Sequence, residues 1–201
     1  MLTVLTPAST DDLTILATLK AELGVTDAAS DTYLADLITQ VSGTCASFCG
    51  RPGWGRETVR QIERLAGWRD CIFLERDLVP SISSVTAADT ALVADVDYEL
   101  DGSLLYRLSG DRRVAWSCGR VVIEYAAGYP LLGGLPYDLE RAALDLCKAW
   151  WSAKGRDPQV RSLKVLNEIE TAYFDPDKVQ SIGGLPIDIA ARLQPYRAVA
   201  L

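Results

Sequence analysis

The sequence predicts an α+β protein: a helical bundle of about four to five helices with an inserted small antiparallel β module. Three observations carry that prediction. Apolar residues recur at helical spacing before residue 50 and after residue 136. Between them, from Glu57 to Gly128, the pattern changes to short runs of period two or of β-branched residues, bounded by Gly, Pro and Asp. At 201 residues and 49% hydrophobic, the chain can bury roughly 70% of its unfolded surface, enough for one sizeable core. One domain is therefore expected over 1–201, made of an N-terminal helical pair (1–55), the β module (56–130) and C-terminal helices with a tail (131–201).

Ser9 or Thr10 can cap a first helix over about 10–23, with Asp11 and Asp12 in its first turn and Gly24 as its stop. The second helix starts near Ser30 or Asp31. It places Leu34, Leu37, Ile38, Val41, Cys45 and Phe48 on one face and ends at Gly50, before Pro52 and Gly53. Candidate strands follow at Thr58–Arg64, Cys71–Leu74, Ile82–Ala87, Tyr98–Leu100, Leu104–Leu108 and Val121–Ala126. Asp101-Gly102 reads as a hairpin turn, because both residues tolerate the positive φ that tight turns demand. In the last strand Val121, Ile123 and Tyr125 face one way, and Arg120, Val122 and Glu124 the other.

Pro136 suits the first turn of the third helix, where a missing N–H costs nothing. Leu139, Ala142, Ala143, Leu146, Ala149, Trp150 and Ala153 form its apolar stripe, widened by Leu144, Cys147 and Trp151. Arg141, Asp145, Lys148 and Ser152 form its polar strip. That arc is wider than one neighbour needs. A further amphipathic segment carries Leu163, Leu166, Ile169 and Tyr173. The phrase GGLPYDL, Gly133 to Leu139, recurs as GGLPIDI, Gly183 to Ile189, and reads as one helix-starting device used twice.

Chemistry is poorly represented. There is no histidine, hence no ordinary general base and no near-neutral proton switch. Phosphate-cradling glycine loops and nucleophile elbows are also missing, so an enzyme is not expected. The alternating acids Asp95, Asp97, Glu99 and Asp101 resemble a calcium loop, but Leu108 stands where the bidentate Glu belongs, and alternation fits a half-exposed edge strand. Cys45 and Cys49 lie one helical turn apart with no second ligand pair, so no metal is expected. The five cysteines, odd in number and scattered, read as reduced and mostly buried thiols. A net charge of −7 without a Lys/Arg block argues against tight nucleic-acid binding. With no apolar run near 18 residues and no leader-like start, neither a membrane nor secretion is expected, which leaves the cytoplasm as the place of synthesis.

The order of motifs resembles the head-tail connector (adaptor, head-completion) proteins of tailed bacteriophages, typified by that of coliphage HK97. The motifs are CGRPG (Cys49 to Gly53), SISSVT (Ser81 to Thr86), DYELDG (Asp97 to Gly102), VVIEYAAGYP (Val121 to Pro130), LPYDLERAALDLCKAWW (Leu135 to Trp151) and LPIDIAARLQPYR (Leu185 to Arg197). The stretch around Asp157 to Ser181 departs from it, being longer than in the shorter members. The resemblance implies a structural virion protein of a phage, prophage or gene transfer particle. Such a protein forms a ring of many copies at the head-tail junction, docks on the portal protein and offers a platform to the next connector or tail protein. It needs no cofactor, and DNA passes through the ring without being gripped, as an acidic lining would favour. The free part of the wide helical arc, with Trp150 and Trp151, and the tail around Leu193, Tyr196 and Arg197 are the expected interface. The competing expectation is a dimeric module that binds a small ligand or has a regulatory role.

Overall fold

The computed structural model describes residues 1–131, 134–154, 162–165, 169–172 and 181–198. The chain divides into two compact units, Met1–Asp11 with Gly53–Leu135, and Asp12–Pro52 with Pro136–Leu201. Each is built from a different backbone logic.

The first unit is all sheet. Strands β1 (Leu2–Thr6), β2 (Glu57–Leu65), β4 (Ser81–Ala87), β5 (Thr90–Leu92) and β9 (Gly119–Ala127) form an antiparallel sheet in the order β1-β2-β9-β4-β5. Its backbone is the nine-residue pairing of β2 with β9, from Glu57 opposite Ala127 to Leu65 opposite Gly119. The period of two then decides the faces: Val59, Val121, Ile123 and Tyr125 are buried, while Arg60, Arg64 and Arg120 are exposed. The second sheet orders β3 (Cys71–Phe73), β7 (Leu104–Ser109) and β6 (Tyr98–Asp101), with β8 (Arg112–Val114) also on β7. Ile72, Tyr98 and Leu105 of this sheet, with Trp116, join the buried face of the first in one core. Gly102 turns the β6–β7 hairpin at φ +62.

The loop Gly53–Gly55 closes against the end of β9. Tyr129 donates to the carbonyl of the fully buried Trp54, and a Cβ on Gly128 would lie 2.1 Å from the Gly55 oxygen. Only glycine permits that approach, and Gly128 also takes φ +106. Asp11, expected in the first turn of a helix, instead accepts the N–H groups of Trp54 and Gly55, both at 2.8 Å.

The second unit holds helices α1 (Leu16–Leu23), α2 (Asp31–Cys49), α3 (Tyr137–Ala153) and α4 (Ile187–Leu193). Helix α1 starts six residues later than the caps at Ser9 or Thr10 suggest. Gly24 and Gly50 end α1 and α2 in the left-handed conformation, at φ +68 and +66, as their positions predict. Pro136 and Pro186 stand immediately before α3 and α4 with nearly the same backbone, φ −58, ψ 132 and φ −51, ψ 141, so the repeated phrase is one start signal used twice. No helix among the described residues is long and apolar enough to cross a membrane.

The helical-bundle expectation is corrected. Strand outweighs helix, 34% against 32%, and the described residues hold four α-helices beside two larger antiparallel sheets, so this is a sheet-rich fold rather than a bundle with a small insert. Strands β1, β5 and β8 escaped the sequence reading because β5 and β8 span three residues each and β1 lies mostly exposed at an edge, too little for a period of two to register. The amphipathic segment through Leu163 and Ile169 contains no helix: β10 (Ser162–Val165) pairs with β11 (Ile169–Ala172). Leu166 and Tyr173 lie outside the described residues. A second ribbon, β12 (Ser181–Ile182) with β13 (Leu185–Pro186), precedes α4.

Candidate functional site

Helix α3 is the centre of the helical unit. It buries Leu139, Ala142, Ala143, Leu144, Leu146 and Cys147, and it contacts α1, α2 and α4. Three neighbours inside the unit therefore account for most of the wide apolar arc. What they leave uncovered is the last turn. Ala149 and Ala153 are exposed, and Trp150 and Trp151 are half-buried.

Trp151 is not isolated. Its ring lies 5.8 Å from that of Tyr33 on α2, tilted by 51°, and the Lys154 ammonium sits 3.7 Å above the Tyr33 ring and 4.9 Å from that of Trp151. Lys154 caps α3, so its charge also meets the negative end of the helix dipole. Two aromatic faces and a cation thus form a preassembled surface, of the residue types that dominate interface energetics. Sequence reasoning missed Tyr33 and Lys154, because no spacing rule links residue 33 to residue 151.

The polar strip of α3 has a different use. Arg192 reaches Asp145 at 2.6 Å, Arg141 reaches Asp145 at 2.8 Å and Glu22 at 3.2 Å, and Lys148 also pairs with Glu22. This chain of charges ties α4 and α1 to α3. Partial burial works to raise the Asp145 pKa, yet the Arg192 and Arg141 guanidiniums outweigh it and hold the carboxyl below its ordinary value. Glu22 is likewise lowered, chiefly by the hydrogen bond from Lys148.

The tail residues separate into two roles. Leu193 has no exposed surface and belongs to the core of this unit. Tyr196 is half-buried: its hydroxyl donates to Asp138 at 2.5 Å, and its carbonyl accepts from the Arg51 guanidinium. Arg197 is exposed, with its guanidinium 5.7 Å from the Phe48 ring. The Ala198 N–H donates to the Cys49 carbonyl at 2.8 Å, so the tail is anchored while Arg197 and part of Tyr196 stay available.

Little else in this unit is reactive. Burial pushes the Cys45 and Cys147 thiols up to about 12 and Cys49 to about 11, so none supplies a thiolate near neutral pH. Among the described residues no group of three or more His, Cys, Asp and Glu side chains could hold a metal ion. The calcium-like acids of the sheet unit are engaged by arginines: Asp97 with Arg107 at 3.3 Å, and Glu99 and Asp101 with Arg113, which also stacks over Tyr106.

No family model and no curated protein matches the sequence. Solved structures do match. One is the "Neck of native GTA particle computed with C12 symmetry", at 18% identity and a TM-score of 0.52, covering 100% of this chain and 97% of that chain. Another is the "Virion of native gene transfer agent (GTA) particle", at 18% identity and a TM-score of 0.58, with the same coverage. At this identity the likeness is one of fold, and it runs end to end.

Proposed function

We propose that this chain is a structural component of a tailed-phage-like particle, belonging to a phage, a prophage or a gene transfer particle and placed at the head-tail junction. In this reading it forms a ring of identical subunits, docks on the portal protein and gives the next connector or the tail its platform. DNA passes through the ring without tight binding, and the protein performs no bond-making reaction. The observation that carries the reading is the fold shared over the full chain with a component of a neck that has twelvefold symmetry. A ring needs each subunit to offer two different surfaces that fit one another. The Tyr33–Trp151–Lys154 cluster, with Trp150 beside it, is proposed as one of these, and Tyr196 with Arg197 as a second contact. Leu193 serves the subunit's own core.

Cryo-electron microscopy of the protein alone and mixed with its cognate portal tests this. Closed rings and portal-bound rings are expected. Trp151→Ala combined with Tyr196→Ala is expected to weaken assembly by at least about tenfold, as loss of an interface anchor does, with the far-ultraviolet circular dichroism unchanged. Lys154→Glu repeats the test without removing buried volume. A protein that stays monomeric at every concentration and never co-sediments with the portal ends the proposal.

A further inference from the structure

Strand register fixes which side chains share the outer face of the five-stranded sheet. Val59, Gln61, Ile123 and Tyr125 are buried, so the residues that alternate with them point the other way. On that outer face Thr58 stands opposite Ala126, Arg60 opposite Glu124, Ile62 opposite Val122 and Arg64 opposite Arg120. Strand β1 adds Thr3 beside Arg60, and β4 adds Ser81, Ser84 and Thr86 beside Ala126, Glu124 and Val122. Arg60, Arg64 and Arg120 are exposed, as are Thr3, Ser81 and Ser84.

The five strands place three guanidiniums and one carboxylate on this face, a net charge of +2 in a chain whose total is −7. The single carboxylate is already engaged, since Arg60 holds Glu124 at 2.6 Å. Arg64 and Arg120 have no ion-pair partner among the described residues. Like charges directly opposite each other destabilise a strand pair, and an anion set between two guanidiniums removes that cost. The strands bring no aromatic ring to this face. Its larger apolar residues, Ile62 and Val122, are half-buried between the charged rows.

We propose that this outer face is a contact surface for the phosphate backbone of a DNA duplex. Arg64 and Arg120 pair with phosphate oxygens, and the Ser and Thr hydroxyls of the same face donate to others, these being the residue types that ordinarily hold phosphates. Without an aromatic ring the face offers no base stacking, and it lacks the aromatic anchors on which a protein partner most often seats. Contact is therefore independent of base sequence and loose, with about two phosphates neutralised per subunit, and the acids elsewhere on the chain keep it weak. The inference takes its ligand from the reading that DNA runs past this chain and so rests on that reading.

Fluorescence anisotropy of the full chain tests it, with a fluorescein-labelled duplex of about 20 base pairs in about 20 mM salt and protein up to the millimolar range. Binding is expected, weakening roughly 40-fold between about 20 and 150 mM salt, a log–log slope of about −2. Arg64→Glu and Arg120→Glu are each expected to lower the affinity at least about fivefold, whereas Arg112→Glu, the same change of charge on the exposed β8, lowers it less than about twofold. These side chains are exposed, and an unchanged thermal midpoint confirms that the variants fold. Absence of duplex binding in low salt overturns the proposal, as does a loss that is equal for all three variants. Poly-L-glutamate bound more tightly than the duplex, and released by the Arg64 and Arg120 replacements, overturns it in favour of an acidic protein. Rings that form without binding duplex remove this inference alone, while duplex binding by a protein that never assembles removes the ring reading and leaves the contact standing.

Discussion

In the sheet unit the deepest polar side chain is Gln61, fully buried on the inner face of β2. Its amide donates to the Phe73 carbonyl and to Glu63, both at 2.8 Å, and its oxygen accepts from the Glu75 N–H and the Tyr125 hydroxyl, both at 3.0 Å. Tyr125 in turn accepts the Arg76 N–H at 3.0 Å, and burial pushes its own pKa up to about 12. In the helical unit the comparable depth holds the thiols Cys45, Cys49 and Cys147 and the small hydroxyls of Thr14 and Ser42, Ser42 accepting the Leu13 N–H at 2.9 Å, with the charges moved out to the partly exposed Glu22–Arg141–Asp145–Arg192 chain. The contrast follows from the backbone. A helix satisfies its own interior N–H and C=O groups, so side chains packed between helices can be apolar or carry only small polar groups, with a hydroxyl such as that of Ser42 serving the loop that leads into α1. Strand β3 ends inside the packed region, so the backbone beyond it needs a buried side chain to bond with.

The largest expected effect tests the helical side of this contrast. Leu146→Ala removes a side chain that is 1% exposed and leaves a cavity, which should destabilise by about 2–5 kcal/mol, read by urea denaturation. If the loss is below about 1 kcal/mol, the helical interior is not tightly packed. Gln61→Leu sharpens the sheet side. It preserves approximate volume but strands the Phe73 carbonyl and the Glu75 N–H, for an expected loss of about 2–3 kcal/mol. A neutral or stabilising result would mean that the polar node is dispensable. The smallest effect concerns the rim charges. Because the folded pKa of Asp145 is depressed, its stabilisation is fully present above the unfolded value near about 3.9 and is lost as pH falls through the lower folded value. Asp145 is partly exposed, so the contribution is about 1 kcal/mol. The stability difference between the parent and Asp145→Asn should therefore shrink as the pH is taken from neutral to below the folded value, and a constant difference would refute the assignment.

Much of the local structure was legible because its cause is local. Gly24 and Gly50 end helices by their tolerance of positive φ, Pro136 and Pro186 start them, Asp101-Gly102 turns a hairpin, and the alternation in β9 decides which side is core. The six strands read from pattern are all present, although together they outweigh the small insert they were expected to form. Of the proposed interaction surface, Trp150 and Trp151 stood out in the sequence as apolar residues at the end of a helix with too wide an apolar arc, whereas Tyr33 and Lys154 did not. Leu193 stood out as part of an apolar tail ending in Tyr and Arg, yet it is wholly internal, since sequence pattern cannot tell a residue packed inside its own unit from one awaiting a partner.

Sequence by itself determined turns, caps and strand faces, which depend on one residue's φ preference or on a period of two or 3.6. Tertiary structure alone decided that sheet outweighs helix, that Asp11 holds a distant loop, that Tyr33 and Lys154 complete the Trp151 cluster, and that Arg64 faces Arg120. Each of these joins residues tens of positions apart or more, and their meeting is set by strand register and helix packing, which no local preference encodes.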